Sequence, residues 1–112
     1  MGQDASTGAG TFVVVSRCAD QARLADFRRW YRDVHIPDIL ATGAFEGAEL
    51  LECAEGEEPR FIALYRAATD VVEAARLVRS LTPSLREQGR LIDYLDYTLG
   101  GPFELIANVT AR

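Results

Sequence analysis

Lysine is absent from this 112-residue chain, and all twelve basic residues are arginine. Without lysine there is no side-chain Schiff base, no pyridoxal phosphate anchor and no phosphate-loop lysine. Histidine is almost absent too. His35 is the only one, which excludes zinc sites built on two or three imidazoles. The two cysteines, Cys18 and Cys53, have no CxxC spacing and are too few for a disulfide framework. They read as two small semi-buried residues in a reducing cytoplasm, with a catalytic cysteine paired to His35 as the alternative. The longest apolar run, Phe12 to Val15, is far short of a membrane span. No basic field exists either. With a net charge of -5, neither nucleic acid nor an anionic membrane is expected as a partner.

What is present suits one domain. Apolar residues make up 48% and charged residues 26%, ordinary values for a globular chain of this size. Residues 1–10, rich in Gly, Ala, Ser and Thr, read as a flexible tail, and 11–112 as a single domain. The start lacks a basic segment followed by an apolar one, so no secretory signal is expected and a cytoplasmic location is. Met1-Gly2-Gln3-Asp4-Ala5-Ser6 fits the N-myristoylation pattern, which is short and often accidental.

Thr11 to Arg17 reads as a central strand, β-branched and apolar on both faces. Asp20 can cap a helix from Gln21, in which Leu24, Phe27, Trp30, Tyr31 and Val34 recur at helical spacing. Pro37 should disturb it just after His35, with Asp38 to Leu40 as a short extra turn and Gly43 as its end. Ala44 to Cys53 and Arg60 to Ala67 read as a hairpin around the acidic turn Glu55-Gly56-Glu57-Glu58-Pro59. Thr69 or Asp70 caps a second helix with the stripe Val71, Ala74, Ala75, Val78 and Leu81. Pro83 is expected to break it, with a further helical piece from about Ser84 to Tyr97. Gly100-Gly101-Pro102 then reads as a turn and Phe103 to Thr110 as the last strand.

The order is βαββαβ, the ferredoxin-like α+β pattern: a four-stranded antiparallel sheet with helices on one face. Its strands are nevertheless apolar on both sides, Val13 and Val15 opposing Phe12 and Val14, Ile62 and Leu64 opposing Phe61, Ala63 and Tyr65. A sheet apolar on both faces needs a second cover. The simplest is another copy of the chain, making a homodimer through the sheet faces.

His35 is the leading candidate for chemistry, because imidazole moves protons near neutral pH. It lies on the flank of the apolar stripe, where pockets open. Tyr31, four residues earlier, can orient it or donate a proton, and Asp38, three later, can fix its tautomer. The bland reading is a boundary histidine bonded to a backbone carbonyl. Tyr65, Tyr94 and Tyr97 are candidate oxyanion or enolate donors, the last two sharing one face of the final helical piece. Trp30 can stack on a planar substrate. Each of these aromatics equally fits a core role. Asn108, on the last strand, is a candidate amide donor. The acidic turn is expected to be solvated, with no metal.

The stretch from Phe27 through Trp30, Tyr31, His35 and Pro37 to Leu40, with Gly43-Ala44-Phe45 after it, resembles the EthD-like branch of the dimeric α/β-barrel superfamily. The resemblance covers the whole βαββαβ order and is specific around Trp30 to Pro37. In that branch Tyr-Trp is common, with the Trp four before the His. Here Trp30-Tyr31 reverses the order and places a hydroxyl-bearing ring at that spot. The superfamily includes cofactor-free monooxygenases, polyketide cyclases, lactone isomerases and haem-degrading enzymes. Haem-type members ligate iron through a His after the second helix, and none stands there in this chain. The resemblance implies a pocket for a small hydrophobic, aromatic or polyketide-like metabolite between sheet and helices, with His35 carrying proton transfer and no cofactor. A cyclase, isomerase or dehydratase is the leading expectation. A cofactor-independent monooxygenase of phenols, or a non-catalytic ligand-binding or accessory dimer, is the alternative.

Overall fold

A computed structural model describes residues 10–111. The proposed tail, apart from Gly10, and the myristoylation pattern lie outside the described residues. Four strands form one antiparallel sheet in the order β2-β3-β1-β4: β1 Gly10–Cys18, β2 Phe45–Glu52, β3 Arg60–Ala67 and β4 Leu95–Glu104. Two helical segments cover one face, which makes the chain α+β and compatible with the ferredoxin-like fold. Strand alternation sets the layers. Phe12, Val14, Ser16 and Cys18 of β1 point under the helices, as do Phe61, Ala63 and Tyr65 of β3. Small side chains at the centre, Ser16 and Ala63, leave room for the aromatic cluster of the first helical segment. Phe27 is fully buried there, its ring 4.9 Å from Phe61 and 5.6 Å from Tyr31.

The first helical segment begins where expected. The Asp20 carboxylate accepts from the Ala22 N–H at 3.1 Å, capping a 3₁₀ turn at Gln21–Arg23. Helix α1 follows at Leu24–Trp30, then a π turn at Tyr31–His35 and helix α2 at Ile36–Leu40. Pro37 therefore does not break the helix. It sits in the first turn of α2, where a missing N–H costs little, and the disturbance falls just before it as a wide turn. The Ile36 N–H donates to the Tyr31 carbonyl, five residues back. Gly43, at φ +79°, closes the segment.

The second half departs from expectation at three points. Helix α3, Val71–Glu87, is capped by Asp70, which accepts from the Val72 N–H at 3.0 Å, but it runs straight through Pro83. Pro83 stands on the exposed side, where the Arg79 carbonyl that loses its donor can turn to water. Second, no helix extends to Tyr97. Gly89, at φ +71°, ends α3, with the Gly89 and Arg90 N–H groups bonded back to the Arg86 and Leu85 carbonyls. Tyr94 precedes β4 and Tyr97 lies on it. Third, the last strand is Leu95–Glu104, so Gly100-Gly101-Pro102 is strand rather than turn. Pro102 is tolerated because β4 is an edge strand that pairs only with β1. Residues 105–111 have no regular structure, and Asn108, expected on a strand, lies exposed among them.

The outer sheet face is apolar and largely uncovered. Val13, Val15 and Leu64 are half-buried there, and Leu51, Ile62, Leu99 and Phe103 are exposed. Among the described residues no helix is long and apolar enough to cross a membrane.

Candidate functional site

Between the inner sheet face, the π turn and α3 lies a cavity of ≈ 400 Å³. Phe12, Val14, Ile39 and Val78 supply its apolar walls. His35, Tyr65, Tyr97, Thr82, Thr98 and Arg79 supply its polar groups. That balance of an apolar body and a few convergent polar groups is typical of small-molecule sites.

The π turn places His35. In an α-helix, residues five apart point in different directions. In the wide turn they come into register. The His35 imidazole accordingly stacks on the Trp30 indole, ring centroids 4.7 Å apart and planes 15° apart. Tyr31 meets the same imidazole edge-on at 5.6 Å. The indole is anchored in turn, its Nε1–H donating to the Arg90 carbonyl at 2.8 Å. His35 is buried, and its Nδ1 has no hydrogen-bond partner among the described residues. The boundary reading, in which the ring bonds a backbone carbonyl, thus finds no such bond at Nδ1. Burial in this aromatic nest pulls the His35 pKa down to about 4, an effect that Asp38 partly opposes. The imidazole is neutral at pH 7, with a lone pair available on one nitrogen.

The other candidates separate into those that reach the cavity and those that do not. Asp38 makes no hydrogen bond to His35. Its carboxylate is held by the Arg90 guanidinium through two bonds of 2.8 and 2.9 Å, so it acts on the imidazole by charge rather than by fixing a tautomer. Arg90 therefore ties down both Trp30 and Asp38. Tyr31 is fully buried and does not line the cavity, and the Ser16 hydroxyl beside it has no bonded partner among the described residues. Burial pushes the Tyr31 phenol up to about 12. Trp30 and Tyr94 do not line the cavity. Tyr94 packs against Phe27 at 6.2 Å, with the Arg23 guanidinium 4.1 Å over its ring.

Tyr65 and Tyr97 do line the cavity. Burial raises the pKa of Tyr65, and partial burial at the cavity mouth that of Tyr97, whose ring is otherwise exposed, so both phenols remain hydrogen-bond donors at neutral pH. The Tyr31 and Tyr97 phenols also raise Tyr65, and the Arg86 guanidinium partly relieves Tyr97. Tyr97 reaches the site through a register shift. β4 bulges between the partners of Val15 and Ser16, which turns Tyr97 towards the helices opposite Ser16.

Arg79, Thr82 and Thr98 escaped the sequence reading. Arg79 and Thr82 sit one helical turn along from Ala75 and Val78 of the apolar stripe, which was the available signal. Thr98 owes its position to the bulge and had none. Neither cysteine lines the cavity. Both are free thiols, Cys18 buried with its Sγ donating to the Asp20 carbonyl at 3.1 Å, Cys53 exposed. In the acidic turn Glu58 pairs with Arg17, and the described residues contain no gathered set of three metal-ligating side chains.

Comparisons with protein families, curated proteins and solved structures find no match for this chain.

Proposed function

We propose that this chain is a cofactor-free acid/base enzyme of cyclase, isomerase or dehydratase type, of the EthD-like kind, acting on a small hydrophobic metabolite. One observation carries this reading. A neutral imidazole whose Nδ1 has no partner among the described residues stands in the wall of an apolar cavity beside two phenols that keep their protons. His35 takes a proton from a carbon next to a carbonyl. Tyr97, or Tyr65 deeper in, donates to the resulting enolate oxygen. The imidazolium formed is then balanced by the substrate's own negative charge, which offsets the burial that disfavours it in the free protein. Return of the proton to another atom completes isomerisation, ring closure or loss of water, with no electron carrier.

The test is a product screen over β-dicarbonyl, polyketide-like and lactone substrates. His35→Ala should lower turnover by about 10²–10⁴-fold with an unchanged near-ultraviolet circular dichroism spectrum. Equal turnover in the variant would remove His35 from the mechanism. The low proton affinity of the free imidazole favours one second reading, a ligand-binding dimer without catalysis. Saturable binding with no product across the screen is its signature.

The cytoplasmic homodimer belongs to the same proposal. The exposed row of Leu51, Ile62, Leu99 and Phe103 supports a second copy packed sheet to sheet, closing a barrel. Analytical ultracentrifugation of Ile62→Glu should find a monomer where the parent chain sediments as a dimer. A parent chain that is monomeric at micromolar concentration would refute the pairing.

A further inference from the structure

The cavity's polar groups are unevenly charged. Among the described residues that line it, Arg79 is the only one carrying a full charge at neutral pH, and no carboxylate lines it. This is unexpected in a chain of net charge -5. Six other arginines, at 17, 28, 29, 32, 76 and 90, are held by carboxylates. Arg79 makes no salt bridge among the described residues, and it stands one residue beyond Val78, which forms part of the apolar wall. Arg79, Thr82 and Arg86 follow at i, i+3 and i+7 on α3, so they share the stripe that faces β4. Arg86 bears electrostatically on the Tyr97 hydroxyl across that gap. The rim over Tyr97 is therefore cationic and rich in donors, while the walls below are apolar.

We propose that the cavity takes a small aromatic or alicyclic carboxylic acid, its carboxylate held at the rim by Arg79 with the Thr82 and Tyr97 hydroxyls and its ring body among Phe12, Ile39 and Val78. This rests on the reading of the cavity as the substrate site, and it names the substrate class. A guanidinium presents paired N–H donors that match a carboxylate. Anchoring the acid at the rim leaves the opposite end of the substrate at His35, where a neutral base is wanted. A second anionic group beside the imidazole is not required.

Isothermal titration calorimetry at neutral pH and low salt, with 2-naphthoate and its neutral isostere 2-naphthamide as probes, tests the assignment. The acid should bind about tenfold more tightly than the amide, and the preference should shrink with added salt because Arg79 is exposed. Arg79→Met should bring acid and amide to equal affinity, Arg79→Lys should keep part of the preference, and His35→Ala should keep all of it. Equal binding of the two probes by the parent chain, or a preference that survives Arg79→Met, overturns the rim assignment and leaves the acid/base reading standing. A preference abolished by His35→Ala but not by Arg79→Met places the anion at the imidazole and likewise overturns it. Binding of neither probe overturns this assignment together with the cavity reading. Acid selectivity with no turnover in any screen overturns only the catalytic reading.

Discussion

Pro37 and Pro83 both lie within helical segments, yet they leave different marks on the chain. Before Pro37 the helix widens into the π turn Tyr31–His35, and the widening stacks His35 on Trp30. At Pro83 nothing widens, and α3 continues to Glu87 on its original face. The difference lies in what surrounds each residue. Both prolines are exposed, but the turn before Pro37 carries the buried side chains Trp30, Tyr31 and His35, and their packing holds the shifted bonding pattern. Pro83 faces solvent, and water can take the carbonyl it strands. A proline in a helix thus marks a place where the backbone must adjust. What the side chains of the preceding turn pack against decides whether that adjustment moves them.

The contrast can be broken at its strongest point first. Trp30→Ala removes the buried platform under His35 and should destabilise the fold by about 3–5 kcal/mol in urea denaturation. It should also let the imidazole titrate closer to 6.5, because water enters its nest. An imidazole still near 4 in this variant would mean that the stack does not shelter it.

The next largest effect is pH-dependent. The folded pKa of His35, about 4, lies below its unfolded value near 6.5. The unfolded chain therefore binds a proton first, and stability is lost as pH falls. The contribution is complete above about pH 6.5, declines between there and pH 4, and is gone below. It amounts to about 3 kcal/mol. Denaturation at pH 7 and pH 4.5 should show a smaller acid loss in His35→Gln than in the parent chain. Equal losses would mean a solvated imidazole.

Pro83→Ala should stabilise by about 1 kcal/mol, since it restores one helical bond on an exposed face. It should leave the His35 titration where it is, and a moved titration would contradict the independence of the two helical segments. Pro37→Ala is the mildest in energy, within about 1 kcal/mol, and the sharpest in geometry. A restored N–H at position 37 allows α-type bonding to compete with the wide turn. Tryptophan fluorescence, quenched by the stacked imidazole, should rise. An unchanged spectrum would show that packing alone, without the proline, holds the turn.

Much of the chain as far as Asp70 was readable because its signals are local. Asp20, Gly43 and Asp70 cap or close elements through their own side-chain and backbone chemistry, and the alternation in Thr11 to Arg17 and Arg60 to Ala67 marks strands whatever they pair with. The second half misled because Pro83 and Gly100-Gly101-Pro102 resemble breaks. Solvent exposure in one case and an edge position in the other make them tolerable. Gly89 was the missed stop. Read as the residue after a helix, it would have released residues 91–104 to form a strand.

From the sequence alone followed the βαββαβ order, an α+β sheet apolar on both faces and the singular status of His35, because caps, periodicity and composition act over a few residues. The tertiary structure decided which groups meet. It put Tyr65 and Tyr97 in the cavity wall with His35, sent Trp30 and Tyr94 into the core, gave Asp38 to Arg90 and brought Arg79 to the rim. Those choices depend on a π turn and a β-bulge. Each moves a side chain from one face to another through a local shift in backbone hydrogen bonding, and nothing short of the packed sheet and helices selects that shift.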